Sequence, residues 1–285
     1  MSTIETRSQH LCFGGIQGFY QHDSQVIGLP MRFSVYQPPQ SIHEPVPTLF
    51  FLAGLTCTEE TFMIKAGAQR LAAEYGMMLV SMDTSPRDTR IPGDTDAWDF
   101  GAGAGFYLDA TQDPWSSHYQ MASYVTQELR ALILDRFPAD ANRLGIFGHS
   151  MGGHGALTLA LGNPGMYQSV SAFAPIAAPI HCPWGQKAFS LYLGDQQDCW
   201  RNYDATALIE DGARVPALLI DQGLNDQFLS EQLHPDRFEA ACSKAGQELT
   251  LRRHNDYDHG YYFISTFMAD HLAHHRNQLK QINST

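Results

Sequence analysis

Leu144-Gly145-Ile146-Phe147-Gly148-His149-Ser150-Met151-Gly152-Gly153-His154-Gly155 contains Gly-x-Ser-x-Gly at residues 148–152, with an apolar β-forming run before it and the helical run Ala156-Leu157-Thr158-Leu159-Ala160 after it. Read physically, a strand turns tightly into a helix and leaves Ser150 on the turn, its hydroxyl exposed at the sheet edge. Glycines two residues to either side suit such a turn, which brings neighbouring backbone close and leaves no room for a Cβ.

The rest of the chain fits around this unit. Short apolar runs recur at Met31–Tyr36, Thr48–Ala53, Met77–Met82, Arg143–Phe147, Ser169–Phe173, Ala217–Asp221 and Glu248–Arg253. Helical patterns lie at Thr61–Tyr75, Ser117–Phe137, Met151–Gly162, Ser230–Ala245 and Tyr261–Leu279. Strands alternating with helices predict an α/β protein with a mostly parallel twisted sheet and helices on both faces. Between the first two strand runs, Pro38-Pro39 and Pro45-Val46-Pro47 mark turns, so the sheet is expected to begin antiparallel. Thr84–Pro114 and Ala174–Ala205 show no clear period and read as functional loops.

The chain has 285 residues, 44% of them hydrophobic and 17% charged, with no break in composition, and is expected to form one domain over residues 1–285. The balance of 18 Lys+Arg against 30 Asp+Glu gives a net charge of −12. With the basic residues scattered, nucleic acid is excluded as a partner, because backbone binding needs a clustered cationic footprint. An anionic substrate would have to be held by local groups against an unfavourable overall field. Apolar runs such as Thr48–Ala53 fall far short of the roughly 18 residues that cross a bilayer. Residues Met1–Arg7 lack the apolar core of a secretion signal. Five widely spaced cysteines form no C-x-x-C pair. A cytoplasmic chain with free thiols is therefore expected, with no membrane partner.

A serine hydroxyl needs a base, and the base needs an acid to hold its tautomer. In a strand-turn-helix setting of this kind the chain order is serine, acid, histidine. Leu218-Leu219-Ile220-Asp221-Gln222-Gly223-Leu224-Asn225-Asp226 is a strand running into a loop, which offers Asp226 as the acid and Asp221 as its rival. His259 follows the last strand and precedes the final helix, which makes it the base. His149 is expected beneath the turn. His271, His274 and His275 are expected on a solvated helix face and not on a metal. Two backbone amides should hold an oxyanion, that of Met151 after the nucleophile and that of Leu55 after Gly54 at the end of an early strand.

Beyond the turn, the chain resembles the S-formylglutathione hydrolase (esterase D) family of the α/β-hydrolase fold. The resemblance runs through Gly54-Leu55-Thr56-Cys57, Asp83-Thr84-Ser85-Pro86-Arg87, Gly105-Phe106-Tyr107-Leu108, Gly148–Ala156, Pro183-Trp184-Gly185-Gln186-Lys187, Asp221-Gln222-Gly223 with Asp226, and Tyr257-Asp258-His259. It implies a triad of Ser150, Asp226 and His259, oxyanion amides from Leu55 and Met151, and hydrolysis of S-formylglutathione without metal or organic cofactor. It also implies a site-adjacent thiol at Cys57, whose modification tends to block activity, and a homodimer or higher homo-oligomer. Substrate contacts are expected from the loops holding Phe106, Tyr107, Trp184 and Lys187. Asp88 departs from the glycine the family pattern leads one to expect after Arg87, which puts the shape of the loop at the site mouth in question.

Overall fold

Apolar runs rich in Val, Ile, Leu and Phe supply the centre of the sheet because both of its faces are covered. In the computed structural model, which describes residues 3–281, every residue from Leu49 to Leu52 is fully buried. Met1, Ser2 and the last four residues lie outside the described residues, and with them the first two positions of the expected leaderless N-terminus. Among the described residues, nine strands form one sheet: β1 (Ile4–Cys12), β2 (Gly15–Asp23), β3 (Pro30–Gln37), β4 (Val46–Leu52), β5 (Met78–Met82), β6 (Ala139–His149), β7 (Ser169–Phe173), β8 (Leu218–Gly223) and β9 (Leu249–His254). Their order is β1-β2-β3-β5-β4-β6-β7-β8-β9. The first three strands and the β3/β5 pair are antiparallel, and every pair from β5/β4 to β8/β9 is parallel.

The antiparallel beginning expected from the proline turns is present, but β5 stands between β3 and β4, so the two sequence neighbours do not touch in the sheet. The edge pair β1/β2 was not expected. β1 is largely exposed and polar, so it has no apolar run to betray it.

The helices are α1 (Glu59–Lys65), α2 (Gln69–Tyr75), α3 (Met121–Ser123), α4 (Arg130–Arg136), α5 (Met151–Gly162), α6 (Pro183–Leu193), α7 (Gln197–Trp200), α8 (Ala205–Glu210), α9 (Pro235–Ala245) and α10 (Tyr261–Gln281). They cover both faces. Phe51 of β4 stacks on Phe62 of α1 at 3.8 Å and Phe147 of β6 meets His275 of α10, while Phe33 of β3 turns the other way to Phe137 beyond α4.

Several expected spans break where the chain's chemistry forces them to. Thr61–Tyr75 is two helices, parted at Gly67 with φ +67°. Ser117–Phe137 winds as α3, a π-helical stretch Tyr124–Leu129, and α4. In Ser230–Ala245, Pro235 has no N–H to give and begins α9 instead of lying inside a longer helix. Ala174–Ala205 is not one loop. It holds α6, whose Trp184, Ala188, Phe189, Tyr192 and Leu193 are buried at helical spacing, and Cys182 Sγ caps it by accepting from Gly185 N.

The expectation of a solvated His271–His275 face is overturned. His271 and His275 are fully buried because α10 lies against the sheet, where β7 presents serines to them. His271 Nδ1 is 2.8 Å from Ser171 Oγ, His275 Nδ1 is 2.7 Å from Ser169 Oγ, and His274 Nε2 is 3.1 Å from Val170 O. Among the described residues no group of three or more His, Cys, Asp or Glu is placed to hold a metal ion. Nor is any described helix long and apolar enough to cross a membrane.

Candidate active site

Ser150 is the cap between β6 and α5 and holds φ +59°, ψ −121°, a conformation costly for a residue with a side chain. Its surroundings leave the turn no alternative. A Cβ on Gly148 would stand 2.2 Å from Gly152 O, and one on Gly152 would stand 1.9 Å from Leu52 O. Ser150 N is tied to Phe173 O at 3.0 Å, and α5 behind it is buried along nearly its whole length. Packing therefore enforces the strained turn.

β4 and β6 are neighbours, yet the chain leaves β4 for α1 on one face and leaves β6 for α5 on the other. Crevices at the carboxyl ends of strands open at such a switch point. A pocket of about 120 Å³ lies there. Gly54, Leu55 and Cys57 enter it from the loop after β4, and His149 and Ser150 from β6 and its turn. Phe228 comes from the loop after β8, and His259 and Tyr261 from the loop after β9 and the start of α10. Trp98 and Trp184 complete the wall, edge to face at 5.5 Å.

His259 Nδ1 lies 2.5 Å from Asp226 Oδ2, which also accepts from Gln222 Nε2 at 3.2 Å, while Asp226 Oδ1 accepts from Phe228 N at 2.8 Å. The carboxylate is thus oriented by three donors. With Nδ1 pinned as a donor to the acid, Nε2 is the nitrogen left for chemistry. Phe228 stands edge-on to the His259 ring at 5.0 Å. The rival acid, Asp221, is wholly buried and engaged elsewhere: Arg252 donates to it through Nε at 2.6 Å and Nη2 at 2.5 Å.

His149 was expected beneath the turn, but it lines the pocket, its ring 4.5 Å from that of His259. Burial, reinforced by His259, pushes its pKa well below the usual imidazole range, so it stays neutral. Cys57 also lines the pocket. Burial pushes its thiol up, against hydrogen bonds that would lower it, so it remains protonated at neutral pH and is not poised as a nucleophile.

Met151 is the first residue of α5, where a backbone N–H has no partner within the helix. Leu55 follows Gly54 on the facing loop and lines the same pocket. Of the four expected substrate contacts, the pocket contains Trp184. Phe106 and Tyr107 are fully buried packing residues: the Phe106 carbonyl lies 3.0 Å from His154 Nε2, and Tyr107 Oη donates to Ala53 O at 2.9 Å. Lys187 spends its charge on Asp99 at 2.5 Å and does not line the pocket. Trp98, Phe228 and Tyr261 were not singled out as site residues. Trp98 lies in the aromatic-rich stretch Thr84–Pro114, and Phe228 two residues after Asp226, which are the signals that could have found them.

Asp88, the departure from the expected glycine, holds φ +56°. This is the left-handed region glycine favours, and a short polar side chain such as aspartate tolerates it. Asp88 therefore occupies a backbone conformation that a glycine at this position would also adopt.

The chain matches the family described as Putative esterase over residues 24–274. It is 53% identical to an S-formylglutathione hydrolase of Mus musculus over 95% of this chain and 97% of that protein, and 51% identical to that of Bos taurus over the same shares. The solved structure of an S-formylglutathione hydrolase from Agrobacterium tumefaciens superposes with a TM-score of 0.95 at 53% identity, covering 96% of this chain and 99% of that one. With its nine-stranded, mostly parallel sheet, the chain has the α/β-hydrolase fold and belongs to the S-formylglutathione hydrolase family of esterases.

Proposed function

We propose that the protein hydrolyses S-formylglutathione to formate and glutathione with Ser150 as nucleophile, His259 as base and Asp226 as its orienting acid. One observation carries the reading: the Asp226–His259 bond and the strained Ser150 turn open into the same small pocket.

Ser150 Oγ attacks the formyl carbon while His259 Nε2 takes its proton, and Asp226 stabilises the imidazolium. The Leu55 and Met151 amides receive the developing oxyanion, each contributing roughly 2.7–4 kcal/mol in comparable sites. The thiol of glutathione has a pKa of about 8.5, so it leaves with less demand for protonation than an amine would. Water activated by His259 then releases formate from the formyl-serine.

A pocket of about 120 Å³ suits a formyl group and leaves most of glutathione outside, against the rim that Trp98 and Trp184 form. Affinity then comes from the leaving group, remote from the reacting atoms. The same reading puts the enzyme at the last step of glutathione-dependent formaldehyde removal, in the cytoplasm, as one domain. The five free cysteines and the single sheet support the last two points. The homodimer or larger assembly that the resemblance implies is decided by light scattering.

The test is the ratio of kcat/KM for S-formylglutathione to that for p-nitrophenyl acetate. A strong thioester preference supports the proposal. Comparable or better turnover of the simple ester would move the function to a broad short-chain carboxylesterase. Trp184→Ala is expected to raise KM for S-formylglutathione more than for the ester, and an unchanged kcat/KM in the folded variant would remove Trp184 from the substrate surface.

A further inference from the structure

Asp83-Thr84-Ser85-Pro86-Arg87 carries none of the groups assigned above, yet it lies directly behind the loop that bears Leu55. That loop does not hold its own shape. Thr56 sits at φ +67°, a region in which a β-branched residue is strained and persists only when its surroundings impose it.

Side chains from outside impose it here. Thr84 Oγ1 donates to Cys57 O at 2.7 Å, and Arg87 Nη2 donates to the same oxygen at 3.2 Å. Tyr107 Oη holds Ala53 O at the other end of the loop. Asp83 fixes Arg87 through contacts of 2.6–3.1 Å and accepts from Thr84 N at 2.8 Å. Within the loop, Cys57 N closes on Gly54 O at 3.2 Å, so a pull on the Cys57 carbonyl is passed to the turn that contains Leu55. Thr56 N is anchored to Gly103 O, and Gly103 N to Ser85 Oγ.

We propose that Thr84 and Arg87, backed by Asp83, are positioning residues that aim the Leu55 amide at the oxyanion and so set kcat and not substrate affinity. The proposal rests on the reading of Leu55 as an oxyanion donor. Such a donor acts only at hydrogen-bond distance from the place the oxyanion will occupy, so a loop that relaxes loses transition-state stabilisation while the pocket still admits substrate.

The experiment compares wild type, Thr84→Val, Thr84→Ser, Arg87→Gln and Ser150→Ala on S-formylglutathione and on p-nitrophenyl acetate, with a thermal melt of each. Thr84→Val keeps the shape and removes the donor. It is expected to lower kcat by roughly 10–100-fold on both substrates, in line with the cost of misplacing a catalytic group by up to 1 Å. KM should stay within about twofold, since ground-state binding is not what the donor supplies. Thr84→Ser, which keeps the hydroxyl, is expected to restore most of kcat, and Arg87→Gln to lower it in the same direction.

Wild-type kcat in folded Thr84→Val or Arg87→Gln would overturn the proposal. So would a loss carried by KM, or one confined to S-formylglutathione, because the oxyanion hole serves both substrates. If Thr84→Val does not fold, Arg87→Gln decides, its side chain being 36% exposed. Retained activity in Ser150→Ala would instead sink the reading of the site itself, which keeps the two failures apart.

Discussion

The sheet carries two clusters of serine, histidine and aspartate, one at its carboxyl rim and one buried between β7, β8 and α10. At the rim, Ser150 stands on a strained turn and His259 is bonded to Asp226, all beside a pocket. Beneath β7 and β8, Ser171 Oγ lies 2.8 Å from His271 Nδ1, and His271 Nε2 lies 3.3 Å from Asp221 Oδ2. The residue types match, but the environments do not. All three members of the inner cluster are fully buried, and both ring nitrogens of His271 are engaged. Burial would raise the Asp221 carboxyl, but hydrogen bonds from His271 and Arg252 hold it well below the usual carboxylate range. Ser171 also sits mid-strand with a second imidazole, His275 Nε2, 2.9 Å from its oxygen. What sets Ser150 apart from Ser171 is the strained turn between β6 and α5 and the pocket in front of it.

The largest effects should fall on the rim. Ser150→Ala is expected to cost about 10⁶-fold in kcat, the scale for loss of a triad serine. Ser171→Ala should leave kcat within about threefold while lowering stability by about 2 kcal/mol, because two buried imidazoles lose a partner. Steady-state rates and denaturant melts of both variants check the pair, and a large kcat loss in folded Ser171→Ala would break the contrast.

The acids sharpen it. Asp226→Asn is expected to lower kcat by about 10⁴-fold through the wrong histidine tautomer. Asp221→Asn should instead destabilise by about 3 kcal/mol, since it strips a buried partner from Arg252 and His271, and should leave the folded enzyme's kcat in place. The reverse pattern in kinetics and melts would make Asp221 the catalytic acid.

The inner cluster also predicts how acid acts on the fold. Burial lowers the pKa of His271 and His274 and drives that of His275 well below its ordinary 6.5, while His154, within α5, is pushed down to about 4. Groups depressed in the folded state take up protons more readily when unfolded. Their stabilisation is therefore complete above pH 6.5 and is lost as pH falls towards the folded pKa. His154 alone accounts for about 3 kcal/mol across that window. Thermal melts from pH 7.5 to 4.5 should show a steep loss of Tm below about 6.5, and a flat profile would contradict the buried neutral histidines.

The smallest effect is expected at Asp88→Gly. Glycine relieves the φ of +56° but adds unfolded-state entropy, so stability should change by less than about 1 kcal/mol in a denaturant melt.

How much of this was legible in the sequence follows from the range of each signal. The turn at Ser150 and the seven strands from β3 to β9 are local patterns of glycine and apolar residues, and they could be read directly. The chain order that nominated Asp226 and His259 is also visible, and the structure brings those two side chains into contact. Three things were not local. β1 is a polar edge strand with no pattern of its own. The α10 histidines look amphipathic until the serines of β7, some hundred residues earlier, are known to face them. Phe106 and Tyr107 are aromatics in a loop, and only the packing reveals that they support the site from behind.

The most direct test of the central claim is labelling with an organophosphonate that reacts with activated serines, followed by peptide mapping and assay. The account predicts one adduct per chain, on Ser150, with hydrolysis lost in proportion and Ser171 untouched. An adduct on another residue, or full hydrolysis after Ser150 is stoichiometrically modified, would contradict it.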